Sequence, residues 1–202
     1  MKILARVSVM LIVLGVVLPS FGQATPDAKP GAASKLDFAL TYGYRWSKLA
    51  ASNSTVFGLQ GGDAEAVYNL SGKYRSLGLV VDVNGETASA IRPGLDLSQI
   101  TAVAGPRVTS RQTLPGTFKA SIYAETLFGY VHAFDSVFPG TTGTVSSANG
   151  FAAEVGGGLG VPVSKHFGWR IGDVHYIYSR LTNNNSNFQS DIRISTGITF
   201  HF

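Results

Sequence analysis

From Leu36 onward the chain alternates between apolar and polar positions. Leu36, Phe38, Leu40, Tyr42, Tyr44 and Trp46 fall on one parity, and Asp37, Ala39, Thr41, Gly43 and Arg45 on the other. Successive side chains of a strand point to opposite faces, so the pattern predicts a strand over 36–46 with one apolar and one polar side. The last stretch, 191–202, repeats it: Ile192, Ile194, Ile198, Phe200 and Phe202 on one parity, Arg193, Ser195, Gly197, Thr199 and His201 on the other. Further strands are predicted at 63–70, 77–86, 99–109, 117–131, 150–163 and 167–179. Pro106 cannot donate to a ladder and argues for a strand end or bulge. In 167–179 Trp169 and Ile171 fall out of phase with Val174, Tyr176 and Tyr178, which predicts a bulge near Gly172.

The polar faces carry charge. On this register Asp37, Glu65, Asp82, Glu125, Glu154 and Asp173 share one side with Arg45, Arg107, Lys119 and Arg193, and Arg170 is left open by the phase break. Gly156, Gly158 and Gly160 fall on that side too and leave room for long side chains from elsewhere. The apolar parity holds the Leu, Ile, Val and Phe residues. Ionised groups survive in an interior only when paired, so this distribution predicts charges inside and apolar groups outside. A soluble lipid-binding cup has the inverse arrangement. An oily exterior requires that no strand edge be left open, so the eight strands are predicted to close into an antiparallel up-and-down transmembrane β-barrel, the first paired with the eighth.

The connections agree. Polar segments 47–62, 87–98, 132–149 and 180–190 alternate with the shorter 71–76, 110–116 and 164–166, as long outer loops alternate with short periplasmic turns. Tyr42, Tyr44, Trp46, Tyr68, Tyr130, Trp169, Tyr176, Phe200 and Phe202 are candidates for the aromatic girdles at the two membrane interfaces.

Composition refines the picture. Residues 1–24 have the form of a secretory signal peptide: Lys2 and Arg6, an apolar run over 7–18, and Gly22-Gln23-Ala24 at the cleavage position. Residues 25–35, rich in Ala and Pro, are expected to be a flexible periplasmic lead-in, leaving 36–202 as the barrel. With Lys2 and Arg6 set aside, fourteen basic residues face twelve acidic ones, so the net charge near +2 gives no reason to expect nucleic acid. The chain has no cysteine, hence no disulfide, no thiolate metal site and no lipid attachment through sulfur. No metal or cofactor motif is present: the three glycines at 156–158 are not followed by the Lys-Ser/Thr of a phosphate loop, and no His-x-x-x-His spacing occurs.

Four segments, Val67-Tyr68-Asn69-Leu70, 77–83, Ala104-Gly105-Pro106-Arg107 and 191–202, resemble the small outer membrane protein β-barrel domain family, itself similar to the transmembrane part of outer membrane protein A. The likeness covers 36–202. It implies an integral protein of the bacterial outer membrane, in contact with its lipid, probed by the barrel-assembly machinery through a C-terminal strand ending at Phe202, and monomeric. The chain stops at Phe202, so no peptidoglycan-binding domain is expected.

An eight-strand barrel is narrow enough for its side chains to fill it. A structural, envelope-stabilising barrel with a salt-bridged lumen is therefore the leading expectation, ahead of a narrow small-solute channel or an adhesin working through its outer loops. Some barrels of this size modify lipid A with a His/Ser/acid set. Here Asp173, His175 and Ser179 share a face, but four residues along a strand span ~13 Å, beyond hydrogen-bond reach, so no catalytic role is expected.

Overall fold

The computed structural model describes residues 34–48, 56–92, 95–113, 119–140, 143–181 and 187–202. The predicted signal peptide and most of the lead-in lie outside these residues. Eight strands run β1 (Leu36–Lys48), β2 (Val56–Asn69), β3 (Leu77–Arg92), β4 (Leu95–Thr113), β5 (Lys119–Gly140), β6 (Gly143–Pro162), β7 (Phe167–Arg180) and β8 (Gln189–His201). Each pairs antiparallel with the next, and β1 pairs with β8 from Asp37↔His201 to Trp46↔Ile192, closing the barrel. Beyond the ladder the seam is tied by its last residue. The Phe202 N–H donates to the Leu36 carbonyl at 2.9 Å, and the Phe202 carbonyl accepts from Lys35 N–H at 3.0 Å. All eight strands thus supply partners to both neighbours, as a lipid-facing sheet requires. The end bearing Ser34 and Phe202 is called the inner end below, and the opposite one the outer end.

The face assignment holds. Leu40, Leu79, Val81, Ile100, Phe128, Val174, Ile192 and Ile194 are exposed around the perimeter. Thr41, Arg45, Glu65, Asp82, Arg107, Glu125, Glu154, Asp173 and Arg193 are buried inside. A continuous apolar belt of this extent is not tolerated in water and suits a hydrocarbon surround.

Three expectations change. First, the strands run far into the segments read as outer loops: β2 begins at Val56, β3 continues to Arg92, β5 to Gly140, and β6 begins at Gly143. Two of the outer connections, 93–94 and 141–142, shrink to two residues, and the asymmetry there lies in how far the hairpins project. Ser and Thr pair well in strands, and polarity alone does not end a ladder. Second, Pro106 marks neither a strand end nor a bulge. The β4–β5 register is the same on both sides of it, from Ala104↔Phe128 to Arg107↔Glu125, while on the β3 side it pairs with Leu79. Third, Tyr42 sits at the middle of β1, within the apolar belt rather than at its edge. The bulge near Gly172 is present: on the β8 side the register moves between Arg170↔Gly197 and Asp173↔Ser195. Trp169, Ile171 and Val174 all face outward across it. A second irregularity lies in β5 between Phe134 and Phe138, where Asp135 adopts φ 60; Asp tolerates the left-handed region better than most residues.

The remaining aromatics gather toward the two ends. At the inner end Phe38 packs edge-on against Phe202 (5.9 Å between centroids), and Phe200, half-buried, against Phe167 (6.0 Å). Trp169 and Tyr68 are exposed nearby. Toward the outer end Tyr44 meets Trp46 at 4.8 Å, with Tyr130 and Tyr176 exposed on the same outward parity.

Candidate functional site: the barrel lumen

Inward parity on eight strands brings distant charges to one axis. Glu65 on β2 is the central acceptor. It is bonded by Arg107 from β4, and by Arg170 from β7 at 2.5 Å. Arg107 also donates through Nε to Glu125 at 2.6 Å. Its guanidinium lies 4.0 Å over the Tyr123 ring, a favourable placement against the ring's negative face. The Tyr123 hydroxyl donates to Asp173, which accepts from Arg170 at 3.4 Å. Toward the outer end, Arg193 reaches Glu154 at 3.0 Å, Asp63 at 3.4 Å and Asp82 at 3.6 Å. His175 joins the two layers, with Nδ1 3.2 Å from Glu154 and Nε2 3.3 Å from Glu125. Outermost of the charges, Arg45 is held by Glu86 at 3.1 Å and Asp191 at 2.5 Å. The bonds of Glu65 and Arg193 cross the lumen, whereas Arg107–Glu125, His175–Glu154 and Arg45–Asp191 join neighbouring strands along the wall.

The glycines of β6 make this possible. A Cβ built on Gly156 would sit 2.5 Å from the His175 ring, and one on Gly158 would meet Asp173 and stand 2.6 Å from the Tyr123 hydroxyl. The wall is thinned where the bulkiest inward side chains must lie. Gly156→Ala is expected to displace His175 and cost about 1–3 kcal/mol, the usual range for overpacking, measured by urea unfolding in lipid vesicles. A neutral result would mean that the space is slack.

Of the predicted lumen charges, Arg45, Glu65, Asp82, Arg107, Glu125, Glu154, Asp173 and Arg193 join this network. Arg170 resolves inward because the bulge restores its phase. Asp37 and Lys119 do not join it. Asp37 sits at the inner mouth, bonded to His201 at 2.7 Å and to Asn69 at 2.7 Å. Lys119 is exposed at the start of β5.

Sequence reasoning missed Asp63, Glu86, Asp191 and His175 as members. The first three share the inward parity of Glu65, Asp82 and Arg193, and lay at or near strand ends drawn too short. With them, acids outnumber bases. Eight carboxyl groups (Asp63, Glu65, Asp82, Glu86, Glu125, Glu154, Asp173, Asp191) meet four arginines and one histidine. Several buried polar atoms toward the outer end lack a hydrogen-bond partner, among them both side-chain atoms of Asn84 and the Thr101 hydroxyl.

Also missed was an apolar cluster inside the outer part of the barrel. Leu59, Ala88, Leu97, Ala133, Phe138 and Leu181 are all buried there. Every one lies in a segment whose polar composition argued for a loop. Among the described residues, no group of three or more His, Asp or Glu side chains is arranged to hold a metal.

A closed eight-stranded barrel, apolar outside and ionic within, defines a transmembrane β-barrel of the small outer-membrane type. Comparison with solved structures agrees. Neisserial surface protein A (NspA) superposes with a TM-score of 0.61 at 17% identity, covering 85% of this chain and 99% of that one. Ail, the attachment invasion locus protein of Yersinia pestis, superposes with a TM-score of 0.50 at 13% identity, covering 84% and 99%. The chain has the fold of these proteins. No family model and no curated protein matches the sequence.

Proposed function

We propose that the protein is an integral outer-membrane barrel with a structural role in the envelope, and that its lumen is closed. The observation that carries the reading is the cross-barrel layering: Glu65 bridging β4 and β7, Arg193 bridging β2, β3 and β6. Beyond them toward the outer end lies the cluster of Leu59, Leu97, Phe138 and Leu181. A small barrel is filled by its own side chains, and ions crossing it would need to part charge pairs out of contact with water. Purified protein in planar lipid bilayers is expected to give no discrete conductance steps. Reproducible single-channel openings from the folded protein would overturn the closed lumen and favour a narrow channel.

The reading is non-catalytic. His175 and Ser179 are buried inside the wall, and the Ser179 hydroxyl faces Gln189 at 3.4 Å rather than an imidazole. A lipid substrate would meet the outer surface, where this set does not point. For partners, the reading needs only outer-membrane lipid, the barrel-assembly machinery at the strand ending in Phe202, and no second copy.

A second reading, a surface-binding role, draws on the projecting hairpins. The 22 residues of β5, at about 3.3 Å each and tilted by about 40°, rise roughly 55 Å against a belt of about 25 Å. The β5–β6 hairpin therefore stands well clear of the membrane, where rigidly based segments present binding surfaces.

A further inference from the structure

The inner mouth of the barrel is a cavity of about 210 Å³ lined by residues from several strands. Its positive charges are of two kinds. Arg107 and Arg170 form its floor and are already neutralised by Glu65, Glu125 and Asp173. Arg111 and Lys119 stand on the rim, both exposed. They share the inward parity of Arg107 and Tyr123. In the β4–β5 ladder Arg111 pairs with Ser121 and Thr113 with Lys119. Arg111 and Lys119 are therefore diagonal neighbours on one face, their backbones about 7–8 Å apart, within reach of long side chains.

Two cations side by side repel unless an anion joins them. Among the described residues neither has an ion-pair partner, and Arg111 donates to the Arg75 carbonyl at 3.4 Å. The one carboxylate among the described residues lining the mouth, Asp37, is engaged by His201 and Asn69 on β8 and β2. Ser121, opposite Arg111 in the ladder and two residues along from Lys119, adds a hydroxyl on the same face, itself bonded to the Gly160 carbonyl.

We propose that this mouth binds a small phosphate-bearing anion, with Arg111 and Lys119 clamping its oxygens. A guanidinium presents a planar fork to phosphate and an ammonium a point charge, and the two together suit a multiply charged oxyanion. A cavity of about 210 Å³ has room for a phosphate or pyrophosphate group but not for a polymer within the mouth. Because the cations face the axis, the anion arrives from solution and not from the surrounding lipid.

The test uses the full chain, isotopically labelled and folded in zwitterionic micelles, with folding checked by heat-dependent gel mobility. Inorganic phosphate and pyrophosphate are titrated at constant ionic strength while the backbone amides of Arg111, Lys119 and Ser121 are followed by NMR. Saturable shifts confined to the mouth are expected, tighter for pyrophosphate. Lys119→Glu is expected to weaken binding about tenfold or more, the scale of one lost charge-assisted contact. Lys119→Gln is expected to fall between, and serves if the charge reversal does not fold. Lys48→Glu at the outer end is expected to bind as the parent does. Shifts that rise without saturating, or that persist equally in the Lys119 variants, would overturn the site. So would a response to phosphatidylglycerol added to the micelles with none to free phosphate.

Discussion

Glu65→Leu is expected to be the most damaging single substitution in the barrel, costing about 3–5 kcal/mol. Removing this carboxylate leaves two guanidiniums short of a counterion at once. Arg170 keeps only the 3.4 Å bond to Asp173, and Arg107 keeps Glu125. Arg107 and Arg170 both stay buried at the floor of the inner mouth, 4% and 5% exposed, which is too little contact with water to replace the lost carboxylate. Burial of an uncompensated charge, rather than loss of a favourable pair, makes the change expensive; intact buried pairs add little net stability by themselves. Urea unfolding of the parent and variant in lipid vesicles measures the difference. Adding Arg170→Met to Glu65→Leu is expected to recover part of the loss, since Arg107 retains one acid. A cost below about 1 kcal/mol for the single variant, the range of an exposed pair, would mean that the lumen is wet enough to solvate its arginines.

Ile194→Arg is expected to cost ~2–4 kcal/mol, the range for a cation placed on the lipid face near the midplane. Ile194 is 45% exposed on the outer wall of β8 and pairs laterally with Tyr44 and Val174. The adjacent Ser195 points inward, where its hydroxyl makes a single 3.4 Å bond to Asp173. Ser195→Ala is therefore expected to cost about 1 kcal/mol or less. The pair tests face assignment at adjacent positions on one strand. Equal losses in the same vesicle assay would mean that the wall does not separate lipid from lumen as described.

Fold class was legible because a two-residue period leaves little freedom. Once Ile194 is outside, Arg193 and Ser195 are inside, and one strand orients the whole sheet. The phase break at Trp169 and Ile171 was legible for the same reason, since a bulge is what returns Arg170 and Asp173 to one face. Strand length was not. Leu59, Leu97 and Phe138 are spaced by Gly, Gln, Ser and Asp, and composition alone cannot tell a polar loop from a polar hairpin that projects beyond the bilayer. That error hid the apolar cluster of the outer lumen, and it left Asp63, Glu86 and Asp191 as terminal residues of the strands read at 63–70, 77–86 and 191–202, with no sign that the ladder ran past them and buried them. Which charges meet was also hidden. The reach from Glu65 to Arg170, 105 residues along the chain, depends on barrel closure and on shear, neither of which local spacing encodes.

Closure of β8 onto β1 has a consequence for assembly. The β1–β8 seam joins positions at opposite ends of the described chain, with Leu36 answered by Phe202. Until β8 is in place, both β1 and β7 present bare edges that hydrocarbon will not accept. Long-range closure is also the step with the largest entropic toll. Lipid stability is thereby an all-or-none property of the ring: a copy with β8 deleted is expected to keep two open edges and not to persist in a bilayer as a folded barrel.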